Sequence, residues 1–225
     1  MTTQEIIDEI TVSFNKYLPT PGSGVFNPIP KSVTSGKLYE AFILALVAKN
    51  LTDREGFNLQ LSTGTNIYLR SSPGPIDRKF PFIKILDPVT GQMIAEIWTD
   101  IEFLTLSYDH RRSYNSTPRR GDYHELDILV IDPGQNGRPS YRTIWLGIEC
   151  KNTPYKKQLL KEILGIRREM SLLVDSQRTK FKSWPRSHVP ADPPSCLLVY
   201  SSSWEITEYD TPGETFGIDF NHEPI

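Results

Sequence analysis

Two apolar segments with charged residues at their centres decide the fold: GDYHELDILVID (121–132) and TIWLGIECKN (143–152). A helical pattern follows them in PYKKQLLKEILGIRREM (154–170). Together they predict a strand, a hairpin loop, a second strand and a helix. Charged groups in the middle of buried strands are costly unless they are paired or bind a metal ion. We therefore expect the rest of the chain to support a charged cluster at this place.

The alternation of strand side chains assigns these charges to faces of the sheet. Glu125 and Asp127 are expected on one face of the first strand. Glu149 and Lys151 are expected on one face of the second strand. The opposite face of the first strand would carry its aliphatic side chains, which include Leu126, Ile128 and Val130.

The composition is typical of one globular domain with extensions. The chain has 225 residues, of which 38% are hydrophobic, enough to bury a sizeable core. A net charge of −2 gives no overall attraction to nucleic acid, so such binding needs a local basic surface. Cys150 and Cys196 fall in predicted strands as free thiols, which argues against disulfides or a four-ligand zinc site. Without a signal peptide or membrane span, we expect a cytoplasmic protein.

The chain begins with a helix and a connector. A short helix is predicted over Gln4–Tyr17, with Thr2 or Thr3 as its cap. Four prolines and two glycines make residues 18–31 a connector, because they interrupt any regular element. We assign residues 1–31 to this N-terminal helix and connector.

The second predicted helix carries a candidate site residue. It is capped by Ser32 or Ser35, runs to about Leu51 and is apolar nearly all round, so it should be mostly buried. Glu40 lies on its inward stripe. Glu40 can contribute to a buried site, or it can be a carboxylate at the edge of the stripe that pairs with Lys37.

Period-two patterns predict strands between this helix and the central segment. The strands lie near 57–62, 66–70, 80–86 and 92–98, with a continuation or bend through 101–107. DPVTGQ (87–92) is typical of a hairpin turn, and SYDHRRSYNSTPRR (107–120) of a polar loop.

A strand and an acidic tail follow the central segment. SCLLVYSS (195–202) predicts a buried strand. Residues 205–225 contain six acidic residues and no Lys or Arg. The main domain is therefore assigned to 32–204 and the acidic C-terminal tail to 205–225.

The charges of the two central strands suit phosphodiester hydrolysis. That reaction needs a divalent cation to neutralise developing charge and to lower the pKa of an attacking water. Magnesium prefers oxygen ligands and keeps several waters, so two or three carboxylates suffice. A lysine beside the metal can hold or help activate the nucleophile. Asp127, Glu149 and Lys151 meet these requirements by residue type and face.

This pattern resembles the PD-(D/E)XK nuclease superfamily, in which an acidic residue on one strand precedes Glu-x-Lys on the next. Here these are Asp127 and the run Glu149-Cys150-Lys151, and HELD (124–127) stands in place of a literal Pro-Asp. The resemblance covers roughly residues 36–200. It implies an α/β fold with a restriction-endonuclease-like core, in which a mixed central sheet is flanked by helices.

The resemblance also implies roles for individual residues. The implied ligands of Mg²⁺ or Mn²⁺ are Asp127, Glu149, the Cys150 backbone carbonyl and, as an accessory ligand on the preceding helix, Glu40. The implied role of Lys151 is to serve the attacking water.

Glu125 and Gln158 are accessory candidates. A hairpin centred near Gly137 would place Glu125 opposite Glu149, with Asp127 diagonal to it. The loop does not fix the register, so we prefer Asp127 and keep Glu125 as an alternative. Gln158, on the helix that follows, could reach the same site.

Basic residues flank these carboxylates in the sequence. Residues 151–188 contain ten basic and three acidic residues, and the 107–120 loop adds four arginines. Local charge of this kind is expected where a protein binds a phosphate backbone. The candidate nucleic-acid contacts are Arg111, Arg112, Arg119, Arg120, Lys156, Lys157, Arg167, Arg168, Lys180 and Lys182. The aromatic residues that could stack on unpaired bases, or cap the core instead, are Tyr108, Tyr114, Phe181 and Trp184.

We therefore expect a Mg²⁺-dependent endodeoxyribonuclease that acts on DNA rather than RNA. No G-x-x-x-x-G-K-[ST] phosphate loop and no G-x-S-x-G elbow is present, which argues against P-loop enzymes and serine hydrolases. The resemblance suggests an effector in bacterial defence or a repair nuclease, as a homodimer or as a partner subunit of a defence system, without a membrane. The competing class is a non-catalytic nucleic-acid-binding or assembly subunit that keeps the fold and the basic face.

Overall fold

A computed structural model describes residues 2–18, 34–64, 66–67, 69–110, 117–173 and 191–225. The helices are α1 (Thr3–Tyr17), α2 (Ser35–Asp53), α3 (Leu106–His110), α4 (Lys157–Met170) and α5 (Asp210–Phe216). The strands are β1 (Asn58–Leu61), β2 (Ile83–Leu86), β3 (Met93–Leu104), β4 (Tyr123–Ile131), β5 (Ile144–Lys151), β6 (Leu172–Leu173), β7 (Ala191–Asp192), β8 (Cys196–Ser201) and β9 (Ile218–His222).

A mixed sheet of seven strands forms the centre of the described fold, in the order β1-β2-β3-β4-β5-β8-β9. Neighbouring strands from β1 to β5 are antiparallel, whereas β5, β8 and β9 are parallel. Parallel neighbours need a crossover connection, and α4 lies in the connection from β5 to β8. The expected α/β fold, with a mixed central sheet flanked by helices, is confirmed.

Helices bury both faces of this sheet. In the α2-side core, Ile43 and Val47 are fully buried together with Ile128. In the α4-side core, Ile163 and Met170 are fully buried beneath the other face. Since α2 contacts α1 as well as strands β1, β4 and β5, it is apolar nearly all round. Across the described residues, none of the helices has the length and apolar character needed to cross a membrane.

Both N-terminal helices form where the sequence predicts them, with a difference at one cap. Thr2 caps α1 through a capping box, as expected. Thr34 caps α2, and the prediction of Ser35 is wrong because Ser35 is already helical. The other predicted cap, Ser32, and the connector from residue 19 to 33 lie outside the described residues.

The first predicted strands are confirmed in part. β1 and β2 lie within the predicted 57–62 and 80–86, and the turn at 87–92 joins β2 to β3 through a hydrogen bond from the Asp87 N–H to the Gln92 carbonyl (2.8 Å). The described residues of 66–70 do not form a strand, so that prediction is wrong.

The continuation expected through 101–107 is confirmed in part. β3 runs without a break from the predicted 92–98 strand to Leu104. Asp100, within this strand, adopts a left-handed backbone conformation. α3 occupies the start of the predicted 107–120 loop, and residues 111–116 lie outside the described part of the chain.

The two ends of the chain belong to the packed domain. Ile10 and Phe14 of α1 are fully buried in the α2-side core. The predicted acidic tail contributes β9, the seventh strand of the sheet, with Ile218 and Phe220 buried in the α4-side core. The predicted boundaries after residues 31 and 204 therefore do not separate packed units.

Arg167 links three elements inside the α4-side of the fold. Its side chain is 1% exposed, so its predicted role in binding nucleic acid is wrong. The guanidinium donates to the Phe216 carbonyl (3.1 Å), to the hydroxyls of Ser171 (2.8 Å) and Ser195 (3.1 Å), and to the Ser195 carbonyl (3.2 Å). Burial lowers the pKa of Arg167 to about 10, which leaves it charged at neutral pH.

Replacing Arg167 by alanine should lower the free energy of unfolding by roughly 2–4 kcal/mol, because buried hydroxyl and carbonyl groups lose their donor. Arg168→Ala is the matched control on the same helix, and its exposed side chain predicts a change within about 0.5 kcal/mol. Urea denaturation of both variants measures the difference. Equal stability of the two variants would contradict the structural role of Arg167.

Candidate metal-binding active site

Neighbouring strands at the centre of the sheet bring two acidic residues together. In the β3–β4 ladder, Thr99 pairs with Ile128 and the pairing resumes at Ile101. Asp100, between them, therefore lies beside Asp127. Asp100 is the only non-glycine residue of the described chain with a positive φ, 53°. This left-handed backbone interrupts the ladder at the point where the two aspartates meet.

The interruption changes the direction of the side chains along β4. Leu126 belongs to the α4-side core, whereas Ile128 and Val130 belong to the α2-side core. The prediction that these three residues share one face is therefore wrong. The Asp127 carboxylate can consequently reach the α2 side, where Glu40 lies.

The β4–β5 register brings Glu149 to the same place. Ile128 pairs with Ile148 in this ladder. One step further along the strands, Asp127 stands across from Glu149. The predicted alternative of Glu125 across from Glu149 is therefore wrong. The ladder contains a bulge, and its extra residue displaces the centre of the hairpin from the expected position.

Three carboxylates converge between α2 and the sheet. One oxygen atom from each of Glu40, Asp100 and Asp127 lies within 4.8 Å of the other two. Asp100 is 5% exposed, and the other two side chains are half-buried. Asp100 is not among the site residues that the sequence predicts, because its place in the cluster depends on the left-handed backbone. The only signal in the sequence is the continuation or bend predicted after residue 98.

Lys37 is the cation that accompanies this cluster. Its Nζ donates to Asp100 Oδ1 (2.5 Å) and to Glu40 Oε2 (2.6 Å). Glu40 therefore pairs with Lys37, as one alternative expected, and it also lies beside Asp127. Its role as an accessory ligand stays a prediction. Burial lowers the pKa of Lys37, but its two carboxylate partners more than offset this and raise the pKa above its ordinary value.

Glu149 and Lys151 form the part of the site that β5 carries. Glu149 is 4% exposed, and its Oε2 accepts a hydrogen bond from Lys151 Nζ (2.5 Å). Glu149 Oε1 and Asp100 Oδ2 are buried oxygens with no hydrogen-bond partner among the described residues. Orphaned buried oxygens are uncommon in native proteins. Two of them on the strands that flank Asp127 indicate a site that receives a ligand.

Asp127 is oriented by the backbone of β5. Its Oδ2 accepts the N–H of Cys150 (2.6 Å). The described contact involves the N–H, and the role of the Cys150 carbonyl as a metal ligand stays a prediction. Burial, together with Asp127 and Glu40, raises the pKa of the Cys150 thiol well above its ordinary value. The thiol is therefore protonated and is not a nucleophile at neutral pH.

Burial among like charges raises the pKa of the acidic side chains. Burial raises the pKa of Glu40 to about 7, with Asp127 and Asp100 adding to the effect and Lys37 opposing it. Burial and the charge of Asp127 raise the pKa of Glu149 to about 8. Burial also raises the pKa of Asp100. A cation that binds these groups therefore displaces protons.

Lys151 keeps its charge at neutral pH. Burial lowers the pKa of Lys151, but Glu149 and Asp127 more than offset this and raise it above its ordinary value. A protonated ammonium donates hydrogen bonds and offsets negative charge, but it cannot accept a proton. Lys151 can therefore hold a water or a phosphate oxygen, and it is not the general base.

The other predicted residues lie around this centre or outside the described chain. Glu125 is exposed and pairs across the ladder with Glu102. Gln158 is exposed and donates to Glu162 (3.2 Å) on its own helix. The exposed basic candidates are Arg119, Arg120, Lys156, Lys157 and Arg168. The candidates outside the described residues are Arg111, Arg112, Lys180, Lys182, Tyr114, Phe181 and Trp184.

The donor set fits a small, hard divalent cation. The clustered ligand atoms are carboxylate oxygens, which Mg²⁺ and Mn²⁺ prefer. Two oxygens that bind one Mg²⁺ at about 2.1 Å lie at most about 4.2 Å apart. Small side-chain movements would bring oxygens that lie within 4.8 Å of one another to this spacing.

Comparison with known proteins gives no match to a family model, to a curated protein or to a solved structure. The clustered carboxylates, the two lysines and the exposed basic residues are the features from which a function has to be inferred.

The raised pKa values of Glu40 and Glu149 make stability depend on pH. Each carboxyl group binds its proton more tightly in the folded state, and this stabilises the fold. The stabilisation is complete below the unfolded pKa near 4.5. It is lost as the pH rises through about 7 for Glu40 and about 8 for Glu149. In a chelating buffer we expect the melting temperature to fall from pH 6 to pH 8. Over this range each group lowers the free energy of unfolding by up to about 1.4 kcal/mol per pH unit. Thermal melts of the wild type measure this fall.

Glu149→Gln is the control for this pH dependence. The variant should show a smaller fall over the same range, because one of the two titrating groups is gone. Mg²⁺ should raise the melting temperature of the wild type more at pH 8 than at pH 6, because the carboxylates are then ionised. A melting temperature that rises from pH 6 to pH 8 in chelator would contradict the assignment.

Proposed function

We propose that the protein is a metal-dependent nuclease with a restriction-endonuclease-like core, which hydrolyses phosphodiester bonds in DNA with Mg²⁺ or Mn²⁺. The observation that carries the proposal is that α2, β4 and β5 bring four residues to one place. Glu40 and Asp127 have carboxylate oxygens within 4.8 Å of each other. Glu149, which is paired with Lys151, lies close enough to Asp127 for that charge to raise its pKa. These residues are far apart in the sequence. The PD-(D/E)XK resemblance implies the same four residues.

The order of elements supports the same class. A helix with an accessory acid precedes an antiparallel run of strands, and the strand with the Glu-x-Lys pattern is followed by a helix and a parallel strand. The site lies where antiparallel pairing changes to parallel pairing, at β5. The bacterial-defence setting is suggested by the resemblance alone.

A divalent cation held by Asp127, Glu149 and Glu40 would neutralise charge on the phosphate and make a bound water more acidic. Other groups of the protein orient the carboxylate and the water or phosphate. The Cys150 N–H fixes the Asp127 carboxylate. Lys151, which stays protonated, is placed to donate to the attacking water or to a phosphate oxygen.

Substrate binding needs positive charge close to this acidic centre, because carboxylates alone repel a phosphate backbone. Arg119 and Arg120 are exposed immediately before β4, which carries Asp127. Lys156 and Lys157 are exposed at the start of α4, a few residues after Lys151. One pair precedes the site residues of β4 and β5 in the sequence and the other follows them. Both pairs provide positive charge that can bind a polyanion.

Plasmid and linear DNA should be cut in Mg²⁺ or Mn²⁺ and left intact in EDTA. Asp127→Asn and Lys151→Met should each reduce the rate by at least about 100-fold, because each removes an oriented charge at the reacting phosphate. Glu125→Gln is the matched control, since Glu125 lies on the same strand but outside the cluster. It should retain most of the activity. Product formation over time on agarose gels measures these rates.

Two results would argue against this proposal. Equal cutting by wild type and Lys151→Met would remove Lys151 from the site and point to a contaminating nuclease. The absence of cutting by correctly folded wild type, with salt-sensitive DNA binding intact, would favour the non-catalytic nucleic-acid-binding or assembly subunit. Circular dichroism establishes that each variant is folded.

A further inference from the structure

Asp100 and Lys37 are two residues of the acidic centre that the proposed nuclease function does not use. Asp100 is buried and projects from a left-handed turn within β3. The turn is held from outside by the segment around Gly74, whose N–H donates to the Asp100 carbonyl (3.1 Å). The Gly74 carbonyl in turn accepts the Glu102 N–H (3.0 Å). Backbone pairing thus maintains a conformation that residues other than glycine rarely adopt.

Lys37 uses one oxygen of each carboxylate that it contacts. Its Nζ binds Asp100 Oδ1 at 2.5 Å and Glu40 Oε2 at 2.6 Å. The second oxygen of Asp100, Oδ2, is buried and has no hydrogen-bond partner among the described residues. Lys37 therefore orients both carboxylates and leaves an oxygen of Asp100 available to a ligand.

The ammonium group of Lys37 has two alternative roles beside a cation site. It can compete with the cation for the carboxylates, or it can hold the carboxylates in the geometry that the cation needs. If Lys37 competed with the cation, it would bind the same oxygens as the cation. At Asp100, Lys37 binds Oδ1 and leaves Oδ2 without a partner. This favours the second role, in which hydrogen bonds from the protein orient the metal ligands.

We propose that Asp100 joins Glu40 and Asp127 as a ligand of a divalent cation of the Mg²⁺ class, and that Lys37 is the positioning residue that holds Asp100 and Glu40. This inference rests on the metal site of the proposed function and extends it by one ligand and one clamp. Lys37 lies in the first turn of α2, three residues before Glu40, and its ammonium group contacts the carboxylates of both Glu40 and Asp100. The left-handed turn of β3 brings Asp100 to the same point.

The two roles predict opposite changes in the affinity for the cation when Lys37 is replaced. Removing a positive charge near a cation site strengthens cation binding by electrostatics alone. Removing a clamp weakens binding, because the ligands lose their orientation. Mg²⁺ demands near-octahedral geometry and Ca²⁺ does not, so loss of the clamp should affect Mg²⁺ more.

The test is calorimetric titration of Mg²⁺ and of Ca²⁺ into the full chain. Lys37→Met should weaken Mg²⁺ binding about 10- to 100-fold, and Ca²⁺ binding less. Arg70→Met is the matched control for charge, because the Arg70 charge acts on Asp100 while its guanidinium donates to the Pro75 carbonyl (2.8 Å). Its Mg²⁺ affinity should be unchanged or tighter. Asp100→Asn tests the new ligand directly and should also weaken Mg²⁺ binding.

Each outcome decides a separate part of the inference. Unchanged or tighter Mg²⁺ binding by Lys37→Met overturns the clamp, and unchanged binding by Asp100→Asn overturns the new ligand. If Lys37→Met does not fold, Lys37→Arg decides, because arginine can bridge two carboxylates and should keep most of the wild-type affinity for Mg²⁺. A folded Lys37→Arg that loses most of this affinity overturns the clamp. If wild type binds neither cation, the metal site of the proposed function fails along with this inference.

Discussion

The burial of several carboxylates at the centre of one sheet is the constraint on which this structure depends. Ionised groups are costly to bury unless other groups compensate for them. The protein uses two ammonium groups, Lys37 and Lys151, and the backbone N–H of Cys150 for this purpose. Raised pKa values lower the remaining charge. The cluster is thus stable enough to form and retains buried oxygens that a cation can bind.

The helix α2 contributes both to the hydrophobic core and to the charged site. Its apolar residues fill the α2-side core, which sets the position of the helix over the sheet. Its first two turns carry Lys37 and Glu40, whose exposed fractions are small because the sheet lies beneath them. A change in how α2 packs would therefore move two charged residues of the site together, so the geometry of the site depends on the core.

The sequence predicts much of this arrangement. The apolar strands with charges at their centres identify Asp127, Glu149 and Lys151, and the apolar helix identifies Glu40. The face assignment of Leu126 and the pairing of Glu125 with Glu149 are wrong, because a left-handed residue and a bulge change direction and register. Arg167 is buried despite lying in a basic run, because hydroxyl and carbonyl groups from three elements surround it.

The sequence by itself determined the classes of element and the residue types that can bind a cation, because both depend on local periodicity and side-chain chemistry. Only the tertiary structure decided that Asp100 joins Glu40 and Asp127, and that Lys37 bridges two of them. It also made the acidic tail a strand of the sheet. These features arise from contacts between segments far apart in the chain, and a single backbone angle at Asp100 changes which side chains meet.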